Sequence, residues 1–141
     1  MKGPREVGEF PRPRAPINSS SGIQFRSAKI GPFPPFGMEV DPLALAVGTL
    51  MMVGVPGEVF VETGLSLKRS SEVGNTLILG YANGYQGYFP TADAYVRGDY
   101  EAKELCWVNA EAEKGIRAFA EETRARFLNS ESKEVTDAQL D

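Results

Sequence analysis

The chain has 141 residues, enough for one small domain, and its apolar share of 42% fits a folded protein. A net charge of −4 and scattered basic residues leave no stripe to track a phosphate backbone, so nucleic acid is not an expected partner. One cysteine, Cys106, excludes an intrachain disulfide framework, and the absence of histidine removes the commonest zinc-binding and general-base side chain.

Residues 1–21 hold Pro4, Pro11, Pro13 and Pro16, then Ser19-Ser20-Ser21. Such a stretch cannot keep a hydrogen-bonded ladder and reads as a mobile lead-in. Its start has no apolar run, so no signal peptide is expected. Gly22 to Ile30 roughly alternates apolar and polar residues and predicts a short edge strand, followed by a rigid loop at Gly31-Pro32-Phe33-Pro34-Pro35-Phe36. Leu43 to Val55 is nearly all apolar and stops at Pro56-Gly57, which predicts one buried strand or two short ones around Gly48. It is too short for a membrane span, which needs roughly 20 apolar residues.

Glu58 to Lys68 reads as a helix with Phe60, Val61, Gly64 and Leu65 on one face. Thr76 to Gly80 reads as a second buried strand running into Tyr81-Ala82-Asn83-Gly84. From about Ala102 to Leu128, the residues Leu105, Val108, Ala112, Ile116, Phe119, Ala120, Thr123 and Phe127 recur at helical spacing. Charged residues take much of the other side, with Glu113–Arg117 and Glu122–Arg126 one turn apart. The tail, 130–141, is polar. These elements predict an α/β class, with a mixed α+β arrangement as the alternative. The very apolar strands need more partner surface than one helix supplies, so 22–129 reads as a partial sheet of a larger domain.

Two segments place strong chemical groups at strand ends, where open α/β sheets carry their sites. In Val55-Pro56-Gly57-Glu58, a strand delivers a carboxylate through a tight turn; the plain alternative is a first-turn acid that complements a helix dipole. In Asn83-Gly84-Tyr85-Gln86-Gly87-Tyr88, continuing to Thr91, Tyr95 and Tyr100, four of five tyrosines crowd together, although any one of them could simply pack its ring. Cys106 reads as a structural residue on the long helix. Trp107 and the loop at 32–36 are either core or the lining of a groove. Gly80-Tyr81-Ala82-Asn83-Gly84 lacks the Lys-Ser/Thr of a phosphate loop, which sets a nucleotide site aside.

Taken together, Pro56-Gly57-Glu58-Val59-Phe60, Asn83-Gly84-Tyr85-Gln86-Gly87-Tyr88, Thr91, Tyr95 and Tyr100-Glu101-Ala102 resemble the neutral/alkaline, non-lysosomal ceramidase family in order and spacing. The matching core runs from about Leu43 to Ala102, and Gly98-Asp99 departs from the two glycines common in that family. The resemblance implies that Glu58 and Tyr88 are zinc ligands and that Tyr100 helps stabilise the oxyanion formed at the amide carbonyl. It also implies a linear lipid amide such as ceramide as substrate. The family's histidine ligands, active-site serine and carbonyl-binding arginine lie upstream, and this chain has no equivalent. A catalytic zinc takes three protein ligands and an open position, so the chain alone is expected to bind zinc poorly and to be inactive. The missing N-terminal part of the domain is then a partner. Relatives are often exported or membrane-associated, which leaves the compartment open. The alternative is a non-catalytic remnant, a small α/β module that binds a partner through exposed apolar strands.

Overall fold

The computed structural model describes residues 23–48, 50–69 and 75–137, with side chains to 129. The lead-in at 1–21 lies outside them. The chain is mixed α/β. Strands β1 (Ile23–Ser27), β4 (Leu43–Val47), β5 (Leu50–Gly54) and β7 (Asn75–Leu79) form one sheet in the order β1-β4-β5-β7. The β1–β4 and β4–β5 pairs are antiparallel, whereas β7 is parallel to β5. The apolar run at 43–55 is thus two strands turning around Gly48. Two short pairs flank the sheet: β2 (Ile30–Phe33) with β3 (Met38–Val40), and β6 (Glu58–Val59) with β8 (Tyr88–Phe89).

The rigid loop expected at 31–36 is instead partly strand, because Gly31 to Phe33 belong to β2, which pairs with β3 through Ile30 and Phe33. β7 is an edge strand with Leu77 and Leu79 exposed, not the buried strand expected. Composition alone could not show whether its outer neighbour is present.

Helix α1 (Val61–Arg69) makes the crossover between the parallel strands β5 and β7. It starts three residues later than the pattern suggests. Its buried residues are Thr63 and Leu67, while Val61 is 68% exposed. The face expected to pack therefore turns outward beside Ile78, where Phe60, Val61, Gly64 and Leu65 line a groove.

The long helix expected from Ala102 is broken into α3 (Tyr100–Glu104) and α4 (Ala110–Asp137), preceded by α2 (Ala92–Arg97). Val108 leaves the helix to bridge Pro35, and the Asn109 side-chain oxygen accepts from the Glu111 N–H at 3.2 Å, restarting the helix as an N-cap. α4 passes Asn129 and continues to Asp137.

The core lies between α4 and one face of the sheet. Ala44, Ala46, Met51 and Val53 meet Ile116, Phe119 and Ala120 there. Arg26 ties β1 to α4: its guanidinium donates to Thr123 at 2.6 Å and to Glu122 at 3.0 Å, and lies 4.9 Å from the Phe119 ring centre. Glu113, expected on the wet side, is 4% exposed. It is held there by the Thr63 hydroxyl at 2.5 Å and by Arg117 one turn on, so a buried acid joins α1 to α4. The opposite sheet face carries Phe25, Leu45, Met52 and Leu77 in one cross-strand row, and its edges are open to solvent.

Candidate functional site

The parallel pair β5 and β7 ends in two tight connections lashed to each other. Val55 N–H donates to Leu79 O at 2.9 Å, Ala82 N–H to Val55 O at 2.9 Å, and Tyr81 N–H to Gly57 O at 3.0 Å. Gly57 is required by close approach, since a Cβ there would collide with the Gly87 carbonyl and the Phe89 ring. That absence of a side chain lets β6 lie against β8, with the Glu58 N–H donating to Gly87 O at 2.9 Å. Gly87 itself adopts φ +74, a left-handed conformation that glycine takes readily, where a Cβ would strike the Leu105 carbonyl. The result sets Glu58 opposite Tyr88 in the β6–β8 register.

Glu58 is therefore a strand residue and not a first-turn acid; the acid in the first turn of α1 is Glu62. The Glu58 carboxylate accepts from two phenols. Its Oε2 takes the Tyr81 hydroxyl, and the hydrogen bond to Glu58 is the leading reason the Tyr88 phenol is held above its ordinary value of 10.0, followed by burial and the carboxylate's charge. The same causes in the same order push Tyr81 up to about 12. Each proton is retained because an ionised phenol would lose a donor and face a carboxylate.

Tyr81 was not singled out by sequence. It sits just before the tyrosine-rich loop, at φ +57, a conformation uncommon for a residue with a side chain. Its ring stacks on Tyr85 at 5.6 Å and 7°, and Tyr85 meets Trp107 edge-on at 6.0 Å. The one signal available was its position directly after a strand end. Trp107 thus lines the rim of the site rather than the core.

Tyr100 does not join this cluster. It opens α3, which runs beside β8, and it is 62% exposed. Tyr95 has a structural part: its hydroxyl donates to Val108 O at 2.6 Å and lies 2.7 Å from Cys106 Sγ. Burial first, then the Cys106 contact, raise that phenol. Cys106 lies between α3 and α4, half-buried, and not on the long helix.

Next to Glu58 opens the groove of ≈ 390 Å³ lined by Val59, Phe60, Leu65, Ile78, Tyr81 and Lys68. Its apolar side chains share the lining with the Glu58 carboxylate and the Lys68 amine. Among the described residues no group of three or more His, Cys, Asp or Glu converges. A carboxylate and a phenol can each coordinate a metal, and Glu58 and Tyr88 lie opposite each other on β6 and β8. No helix among those residues is long and apolar enough to cross a membrane.

The chain is similar to the neutral ceramidase of Mycobacterium tuberculosis, with 30% identity over 104 residues. The match takes in 69% of this chain but 16% of that relative, so the chain spans about a sixth of its length. No family model and no solved structure matches the chain.

Proposed function

We propose that the chain is the C-terminal part of the catalytic domain of a ceramidase-like amidohydrolase, supplying two zinc donors, Glu58 and Tyr88. The observation that supports this reading is their convergence: two residues thirty positions apart in sequence lie opposite each other on paired strands. The similarity to a neutral ceramidase supports the reaction class, hydrolysis of a linear N-acyl amide such as that of ceramide.

Zinc in such a site would polarise the amide carbonyl or acidify the attacking water. The chain's own residues have distinct tasks. Tyr81 donates to Glu58 Oε2 and would orient the carboxylate as a ligand, as hydrogen bonds to a ligand carboxylate commonly do. Tyr88 would surrender its bond to Glu58 on becoming a ligand. Tyr100, exposed on α3, would need to turn inward to donate to the developing oxyanion. The groove beside Glu58 offers apolar walls to an aliphatic chain. Histidines, the serine and the carbonyl-binding arginine come from outside this chain.

A second reading, a non-catalytic α/β interaction module, is favoured by the bare apolar sheet face. A chimera separates the two. In it, this chain replaces the matched region of the M. tuberculosis neutral ceramidase. The zinc reading expects one zinc per chimera and release of fatty acid from a ceramide, both lost on Glu58→Ala, with Tyr88→Phe weakening metal retention. Zinc content and activity unchanged by Glu58→Ala would sink it.

A further inference from the structure

We propose that Asn83 and Gln86 are positioning residues: their side-chain amides form a two-point clip that holds the tyrosine-bearing loop on the 39–41 segment and so sets Tyr88 opposite Glu58. The clip stands on geometry alone, while its consequence for a metal rests on the zinc-site reading.

The loop between β7 and β8 has little reason of its own to keep one shape. Tyr81 and Asn83 both adopt positive φ, 57 and 70, and such backbone persists only where its surroundings fix it. Tyr81 and Ala82 are tied by their N–H groups to Gly57 O and Val55 O. Among the described residues, no backbone hydrogen bond reaches 83–86. The loop's far end is β8, and the β6–β8 pair is two residues on each side, too short to keep its register unaided.

Two side chains supply the missing hold. Asn83 Nδ2 donates to Asp41 O at 3.0 Å, and Gln86 Nε2 donates to Glu39 O at 2.8 Å. The amides thus reach 42 and 47 residues back along the chain to carbonyls two positions apart. Asparagine also tolerates the left-handed φ that its position demands, so one residue meets two requirements. The receiving segment is itself fixed. Val40 is fully buried and pairs with Ile30, and the Ala28 N–H donates to Pro42 O at 3.3 Å.

What the clip holds lies directly beside it. Gly87, next to Gln86, accepts the Glu58 N–H at 2.9 Å, and the Tyr88 N–H donates to Leu105 O at 3.2 Å. Those two bonds seat the Glu58–Tyr88 pair. Tyr85, between the two anchors, carries its ring to Trp107. Trp107 also lies against Gly87, where a Cβ would touch its ring at 3.6 Å. It is the chain's one tryptophan, so its emission reports on this loop.

Amide hydrogen exchange in the full chain, followed by NMR, reads the seat. Asn83→Asp keeps the shape and the tolerance of positive φ but turns the donor into an acceptor. Gln86→Met keeps the length and removes the donor. Each should speed exchange at the Glu58 amide, and the two together by roughly tenfold or more, with the amides between β4 and β5 unchanged and Trp107 emission shifted to the red. Asn83→Gly, which suits the φ without an amide, should match Asn83→Asp. A glycine variant that behaves as wild type would mean that the φ is all Asn83 supplies and would overturn the proposal. An unchanged Glu58 amide in the double variant overturns it too, as does acceleration spread evenly over β4 and β5, which marks lost stability and not lost positioning. In the same chimera, the double variant should give up zinc to a chelator faster than the parent; equal retention overturns the consequence for the donors. A chimera that holds no zinc with both amides intact removes the metal reading and leaves the clip to the exchange result, so the two failures are distinguishable.

Discussion

Two phenols converge on one carboxylate at Glu58, and both keep their protons well into alkaline pH. This arrangement has a measurable signature. The Tyr81 phenol, raised to about 12, and Tyr88, raised in the same direction, are stabilised by folding in their protonated forms. Their folded values exceed the unfolded value of 10.0, so the contribution is complete below pH 10 and is lost as pH rises through the folded values. Absorbance titration at 295 nm should show three late tyrosines in the native chain, Tyr81, Tyr88 and Tyr95. In Glu58→Gln the charge and the strong acceptor go, and the Tyr81 and Tyr88 titrations should move down toward 10.0 while Tyr95, raised by burial and Cys106, stays late. Unmoved titrations would mean that Glu58 is not their shared partner. Residue patterns alone leave Glu58 as a first-turn acid and Tyr88 as one of several packed rings; only the resemblance to the ceramidase family singles the two out. Tyr81 was not singled out, because its role depends on a positive φ that nothing in the identity of a tyrosine announces.

At the scale of elements, the helix α4 was legible and its start was not. Ile116, Phe119, Ala120, Thr123 and Phe127 recur at helical spacing, and all are buried. Leu105 and Val108 continue the same period by coincidence, since Val108 is buried through a bridge to Pro35, a pairing remote in sequence. Glu113 was misjudged for a similar reason: only tertiary packing brings Thr63 to it. Thr63→Val would remove one of its donors and leave a buried carboxylate less satisfied, so we expect a loss of about 1–3 kcal/mol in urea unfolding. No loss would mean that Arg117 alone satisfies Glu113. The contact between β1 and α4 predicts a pH effect of opposite sign to that of the tyrosines. Arg26 first, then Arg126, hold Glu122 below its ordinary value of 4.5. Stability from this group is present above that value and falls away as pH drops through the lowered folded one. The Arg26→Gln variant should show a shallower acid slope in its melting temperature; an unchanged slope would remove Glu122 from the account.

The whole molecule is a sheet with one face finished and one face open. Sequence had indicated as much, since strands as apolar as 43–55 called for more cover than one helix supplies. It could not indicate which face would remain open or that β7 would stand at the edge, because both depend on residues that pack from elsewhere. At the strand ends Glu58 and Tyr88 meet, and among the described residues no group of three or more His, Cys, Asp or Glu converges. Both features bear on the proposal that this chain is the C-terminal part of a zinc amidohydrolase domain. The most direct measurement is to sequence the native gene upstream of the Met1 codon. The account predicts an open frame, or an adjacent gene, encoding a histidine-bearing segment and an active-site serine. A stop codon and promoter directly before Met1, with no such segment nearby, would contradict it and leave the interaction module as the reading.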